Sequence, residues 1–329
     1  MRFWTVLLAV AMAGAAFAGT ITVTSPSDGD FLGQNNQVQF NIKNSVTKVT
    51  VKATATSVAD PSISITVQND FTPSTGGDIG GSLTLNFNQS VPQGAYTLAV
   101  TATEPGNAYN TPPVLALTID LDAPKFLDFN PLNNGFVKGV VPISASFQEA
   151  NMKEWRVQVG GADIPNNTGA TNTLAVSWDT SGFTHDGPQS LSIKATDKAK
   201  NSASQNINLT IDRLPPSLAV NSPRDGETFR SGSNIPVVVT VTDQFSGSID
   251  QYAIVVEVTD SNGVVLGRVA RSSTTNNGNS IVWTGRLRAT RDLPATFKIK
   301  FTAVDKAGNV ATTQTVLVNR GSRLIVRNK

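Results

Sequence analysis

Few side chains in this 329-residue sequence have the types and spacing that catalysis needs. The only histidine, His185, stands in the loop "GFTHDGPQS" next to Asp186. Nucleophilic catalysis needs a nucleophile, a base and an orienting acid converging in space, and sequence neighbours point apart. His185 is therefore expected on an exposed loop. There is no cysteine, which excludes disulfides, thiol catalysis, zinc–thiolate sites and a lipid-modified N-terminal Cys. The sequence also carries no phosphate-binding loop, zinc-ligand spacing or paired-carboxylate motif. It is expected not to be an enzyme.

Carboxylates are the better lead. Asp120 and Asp122 lie in "IDLDAPK" (119–125), and Glu104 is expected beside them at the same pole of the first structural unit. Clustered oxygen ligands of this kind suit Ca2+, so Asp120, Asp122 and Glu104 form a candidate calcium site; no other cofactor is indicated. The corresponding stretch "IDRLPPS" (211–217) has Asp212-Arg213, a cation where the second acid stood, which weighs against the same site there. The competing reading is that Asp120 and Asp212 cap strand ends by accepting backbone N–H bonds. Lys43 and Asn107 would be the candidate pair for an intradomain isopeptide bond in the first unit.

Charge is unevenly spread. Residues 19–121 carry 3 basic and 7 acidic groups, residues 122–212 carry 7 and 9, and residues 213–329 carry 15 and 8. Arg268, Arg271, Arg286, Arg288 and Arg291 lie in the middle of the last part, and the tail "RGSRLIVRNK" adds Arg323 and Arg327. These arginines are the candidate partner-binding set. The fitting partners are an anionic cell-envelope polymer or an acidic surface protein, or the acidic first unit of another copy, head to tail. The alternative is a solvated charged face. Nucleic acid is not expected, because no aromatic residues interleave with the cations. "LIV" (324–326) could serve as a strand added to a partner's sheet edge.

The elements that position these residues repeat three times. "GAYTLAVTATEPGN" (94–107), "PQSLSIKATDKAKN" (188–201) and "ATFKIKFTAVDKAGN" (295–309) end alike. Two, four and six residues before Glu104, Asp197 and Asp305 stand Ala102/Ala195/Ala303, Val100/Ile193/Phe301 and Leu98/Leu191/Ile299. Apolar residues at every second place mark a strand with one buried face. A second alternating run follows each time ("VLALTID", "NINLTID", "TQTVLVN"), so each motif is read as the turn of a β-hairpin. Gly308 supplies the left-handed residue, the turn with Lys200 in that place must strain or change type at some cost, and Glu104-Pro105-Gly106-Asn107 reads as a type II turn. The unit openings correspond as well, anchored by Pro26, Pro131 and Pro223. About seven short strands per unit make each an all-β sandwich. The expected domains are 19–121, 122–212 and 213–320, with short proline-bearing junctions and a basic tail, 321–329. Residues 1–18, one cation then an apolar run ending Ala16-Phe17-Ala18, read as a cleaved signal peptide.

The "A-x-D-x-A-G-N" hairpins and the Pro…Gly…aromatic openings resemble the bacterial immunoglobulin-like domains, similar to fibronectin type III, found in tandem on exported surface proteins. The resemblance implies three tandem immunoglobulin-like sandwiches, secreted, periplasmic or at the cell surface. Such modules serve as adhesins, stalks, spacers and enzyme appendages; the expected role here is non-enzymatic cell-surface structure or adhesion, with contacts through loops and, from the charge distribution, the basic third domain. The alternative is a polysaccharide-binding or accessory module that presents a partner enzyme, for which Phe71, Tyr109, Phe183 and Phe245 are the candidate loop aromatics. The disulfide of antibody domains is absent, and their tyrosine corner is not expected, since Tyr96, Gln189 and Phe297 disagree.

Overall fold

The computed structural model describes residues 19–321; residues 1–18, read above as a signal peptide, and Arg323, Arg327 and the rest of the tail lie outside the described residues. Period-2 alternation in a sequence rich in Val, Ile and Thr yields strands almost throughout. The first sandwich contains β1 (Thr20–Ser25), β2 (Phe31–Leu32), β3 (Asn35–Lys43), β4 (Val49–Ser57), β5 (Ser64–Phe71), β6 (Ile79–Asn86), β7 (Gly94–Thr103) and β8 (Leu115–Ile119). The second contains β9 (Lys125–Asn130), β10 (Gly135–Val137), β11 (Val140–Gln148), β12 (Met152–Val159), β13 (Ala162–Gly169), β14 (Thr173–Asp179), β15 (Gly187–Asp197) and β16 (Ser202–Ile211). The third contains β17 (Ser217–Ser222), β18 (Glu227–Arg230), β19 (Asn234–Thr242), β20 (Val255–Thr259), β21 (Val265–Arg268), β22 (Arg271–Asn276), β23 (Ser280–Arg288), β24 (Thr296–Thr302) and β25 (Gln314–Gly321). A 3-10 turn over Thr180–Gly182 is the one helical element among the described residues, and none is long and apolar enough to cross a membrane.

Strand order recurs three times, with β22 added at one edge of the third unit. One sheet is β1-β3-β6, β9-β11-β14 or β17-β19-β23-β22; the facing sheet is β2-β8-β7-β4-β5, β10-β16-β15-β12-β13 or β18-β25-β24-β20-β21. In each unit the chain switches sheets after its first strand, so that β2, β10 and β18 pair parallel with the last strand. The turn of that switch carries Pro26, Pro131 or Pro223, each buried and each preceded by a cis peptide bond. Two mainly antiparallel sheets face to face with this order define immunoglobulin-like, fibronectin type III-like sandwiches. The repeating hairpins are β7–β8, β15–β16 and β24–β25, all antiparallel.

Each sandwich has its own apolar core: one between Ile21 and Leu121, one between Val141 and Ile211, one between Ile235 and Val318. The repeated apolar positions lie in these cores, with Leu191, Ile193, Ala195, Ile299, Phe301 and Ala303 all at 0% exposure. Phe87, Trp178 and Trp283 add one large buried aromatic to each of the three cores.

One expectation fails here. The first sandwich does have a tyrosine corner: the buried Tyr96, near the start of β7, donates its hydroxyl to the Pro92 carbonyl at 2.8 Å. Comparing three positions for identity hid this, because Gln189 and Phe297 occupy the place differently. A buried hydroxyl needs a partner, and removing one leaves the other unsatisfied. Tyr96→Phe should therefore cost about 1–2 kcal/mol in urea unfolding of the first sandwich, while leaving the unfolding of the other two unchanged.

Candidate functional site

The repeated "DKAxN" turns do more than reverse the chain. Asp197 accepts from Asn201 N and Nδ2, both at 2.8 Å; Asp305 accepts from Asn309 N and Nδ2, both at 2.7 Å. The second hydrogen of each amide leaves the domain. Asn201 Nδ2 donates to the Asp120 carbonyl at 2.8 Å, and Asn309 Nδ2 donates to the Asp212 carbonyl at 2.9 Å. Both acceptors begin five-residue linkers, Asp120–Pro124 and Asp212–Pro216, between the last strand of one sandwich and the first of the next. The motif's lysine also reaches back. Lys198 Nζ lies 5.1 Å from the ring centre of Phe31, and Lys306 Nζ lies 5.9 Å from that of Phe136, the matching aromatic of each preceding sandwich. The conformation that makes this possible needs a left-handed residue before the asparagine, with φ 73° at Lys200 and 80° at Gly308. The turn keeps its type in the second unit and accepts the strain.

Each junction has further ties. At the first, a Cβ on Gly33 would stand 3.0 Å from the Ala199 carbonyl, so glycine lets the two backbones approach this closely. Asn151 Nδ2 donates to Asp120 Oδ2 at 2.7 Å. At the second, Lys138 Nζ donates to Asn309 Oδ1 at 2.9 Å. Gln244 Nε2 donates to Asp186 Oδ2 at 3.1 Å, linking the third sandwich to the second. Arg213 does not neutralise the acids of its linker; it turns to Asp186, with Nε 2.5 Å from Oδ1.

The junctions concentrate buried acid. Asp212, Asp243 and Asp305 place one oxygen each within 4.8 Å of the others. Burial, then Asp243 and Asp305, push the Asp212 carboxyl up to about 6. At the first junction the same positions are Asp120, Glu149 and Asp197. There burial raises Glu149 and Asp197, with Asp120 adding to both.

The structure does not bring the expected calcium ligands together. Register pairs Gly94 with Ile119, so Asp120 sits at the start of β7 and Glu104 follows its end, roughly 30 Å away. Asp122 accepts from Gln93 Nε2 at 2.7 Å. Glu104 faces the other pole, where donors fill both oxygens. Val46 N and Thr47 N and Oγ1 donate to Oε1; Asn107 Nδ2 and Tyr109 Oη donate to Oε2. Burial opposes ionisation there, yet the hydrogen bonds from Tyr109, Asn107 and Thr47 together outweigh it and hold the carboxyl at about 2. Lys43 is exposed and pairs with Asp78 at 2.5 Å rather than reaching Asn107. His185 is exposed, its Nδ1 2.8 Å from Thr184 Oγ1.

The arginines separate. Arg268 pairs with Glu257 at 3.3 Å, and Arg271 lies 4.7 Å over the Tyr252 ring. Arg286 and Arg288 project from the same face of β23, both exposed. Arg288 and Arg291 border a hollow of about 510 Å3 together with Arg230, at the end of the third sandwich opposite Asp243. The proposed aromatics are mostly internal: Phe71 packs edge-on against Phe40, Phe183 against Trp178, and Tyr109 binds Glu104. Tyr252, 74% exposed, is the loop aromatic that sequence reasoning missed. Asn201, Asn309, Glu149 and Asp243 were missed too. For the asparagines the signal was the motif itself, whose last letter a turn alone does not require.

No family profile matches this sequence, and no curated protein is similar to it. Solved structures are similar in architecture. The fibronectin(III)-like modules of CbhA from Clostridium thermocellum share 12% identity over 63% of this chain and 98% of theirs, TM-score 0.41. An E-to-A variant of titin domains I67–I69 shares 12% over 94% and 100%, TM-score 0.35. A tetra-tandem repeat from the extending region of a large adhesion protein shares 19% over 93% and 74%, TM-score 0.27. At such scores the fold class rests on strand order.

Two outcomes follow from these contacts. Asn201→Ala or Asn309→Ala leaves a buried aspartate and a linker carbonyl without their shared donor. Each should cost about 1–3 kcal/mol and speed proteolytic cleavage in its own linker, read by the fragments formed. Glu104, whose carboxyl is lowered from 4.5 when folded, contributes stability that is present above pH 4.5 and is lost as pH falls towards 2. Glu104→Gln should flatten the acid limb of the first sandwich's unfolding curve over that window.

Proposed function

We propose that this chain is an exported, non-enzymatic rod of immunoglobulin-like sandwiches that serves cell-surface structure or adhesion. The observation that carries this reading is the duplicated clasp. The same asparagine bridge, lysine–aromatic contact and five-residue linker recur at both junctions. A linker that short, tied down by its neighbour, transmits position and force from one sandwich to the next rather than letting it tumble.

The rod's basic end is the docking surface. Arg230, Arg288 and Arg291 are exposed, and among the described residues none of them forms an ion pair. Guanidinium groups around a hollow suit the carboxylate or phosphate groups of an anionic envelope polymer. A second reading, a polysaccharide-binding or accessory module, draws on Tyr252. An exposed ring offers a stacking face to sugar, although Arg271 already covers one side.

The two readings separate in one binding series with cell envelopes and a glycan array. In the first, Arg230→Gln, Arg288→Gln and Arg291→Gln combined weaken envelope binding at least about tenfold at low salt, and about 1 M salt abolishes the wild-type binding. In the second, Tyr252→Ala removes binding to neutral glycans and salt has no effect. Envelope binding indifferent to salt and to all three arginine changes would end the docking model.

A further inference from the structure

We propose that Asp212, Asp243 and Asp305 hold a divalent cation, Ca2+, between the second and third sandwiches. The three carboxylates come from separate elements: the linker after β16, the residue after β19, and the turn after β24. Their exposures are 0%, 5% and 4%. Among the described residues no Lys or Arg forms an ion pair with any of them. Lys138 spends its ammonium on the Asn309 side-chain carbonyl oxygen. Three buried acids without a counter-cation are costly.

The unspent oxygens point the same way. Asp212 Oδ2 and Asp243 Oδ2 are buried and have no hydrogen-bond partner. Ser248 Oγ is likewise buried and unpartnered, and its carbonyl accepts from Lys306 N, the residue next to Asp305. Buried polar atoms are almost always satisfied; here three of them without partners belong to the triad and the loop beside it. Carboxylates brought together from three separate loop elements suit Ca2+, which accepts flexible all-oxygen geometry, better than Mg2+, which demands a near-ideal octahedron and keeps several waters.

The first junction supplies the internal contrast. In Ser248's place stands Asn151, whose carbonyl likewise accepts from the motif lysine's N–H. Its side-chain amide donates to Asp120 Oδ2, and its own N–H donates to Glu149 Oε1. An amide thus fills at the first junction the role that a cation fills at the second. The expectation of calcium between domains therefore moves from Asp120 and Asp122 to the linker that bears Arg213, whose guanidinium is engaged by Asp186. This inference does not depend on what the rod binds.

The test uses the full secreted chain, stripped with EDTA and titrated with CaCl2, and separately with MgCl2, by calorimetry and by thermal unfolding. One Ca2+ should bind per chain, with a dissociation constant of about 0.1–1 mM, as in extracellular modules. At tenfold excess over that constant the third sandwich's unfolding midpoint should rise by roughly 5 °C. Asp243→Asn should remove both effects while retaining the wild-type circular dichroism, and Glu149→Gln at the first junction should leave both intact. No stoichiometric binding of Ca2+ to the wild type at about 10 mM overturns the proposal. So does Ca2+ binding that survives Asp243→Asn, which would place the ion elsewhere. Should Asp243→Asn not fold, loss of the same signals in Asp212→Asn supports the site and their persistence overturns it.

Discussion

The arrangement of this molecule depends on one side-chain amide used twice. Asn201 and Asn309 are each fixed by an aspartate of their own turn, and each spends its remaining N–H on the first carbonyl of the linker behind it. The bond matters because of where it lies. Asn309 and Asp305 are buried, so in the closed junction no water competes for this hydrogen bond. A hinge at either linker would have to break this hydrogen bond, buried at the second junction and part-buried at the first, and pull a lysine off an aromatic ring together.

The sandwiches are independent in their cores and dependent at their ends. No core residue is shared between units, so the apolar driving force sets each fold without setting the angle to its neighbour. That angle is set by polar groups, which are directional. The division explains how neighbouring junctions can differ chemically while the sandwiches remain alike: Gly33 with Asn151 at one, Lys138 with Ser248 at the other.

Strands and hairpins were legible because Leu98, Leu191, Ile299 and their partners alternate with a period of two, which physics ties to one buried face. The left-handed position at Gly308 was legible from turn chemistry, whereas at Lys200 the residues left open whether the turn would strain or change type. What the residues could not declare is which pole each hairpin serves. Glu104 occupies the motif's aspartate position, yet it faces away from Asp120 because β7 runs the whole length of the sandwich. Arg213 looked like a charge that spoils a cation site, and only the fold shows it claimed by Asp186. Tyr252 and Arg230 became notable through exposure, which composition does not report.

The most direct test of the clasps is a distance distribution across a junction. The chain has no native cysteine, so single spin labels can be placed on the outer faces of the second and third sandwiches and read by pulsed electron resonance. Clasped linkers predict one narrow distance in solution. A broad distribution, spread over about 10 Å or more as an untethered five-residue linker would allow, would contradict the account.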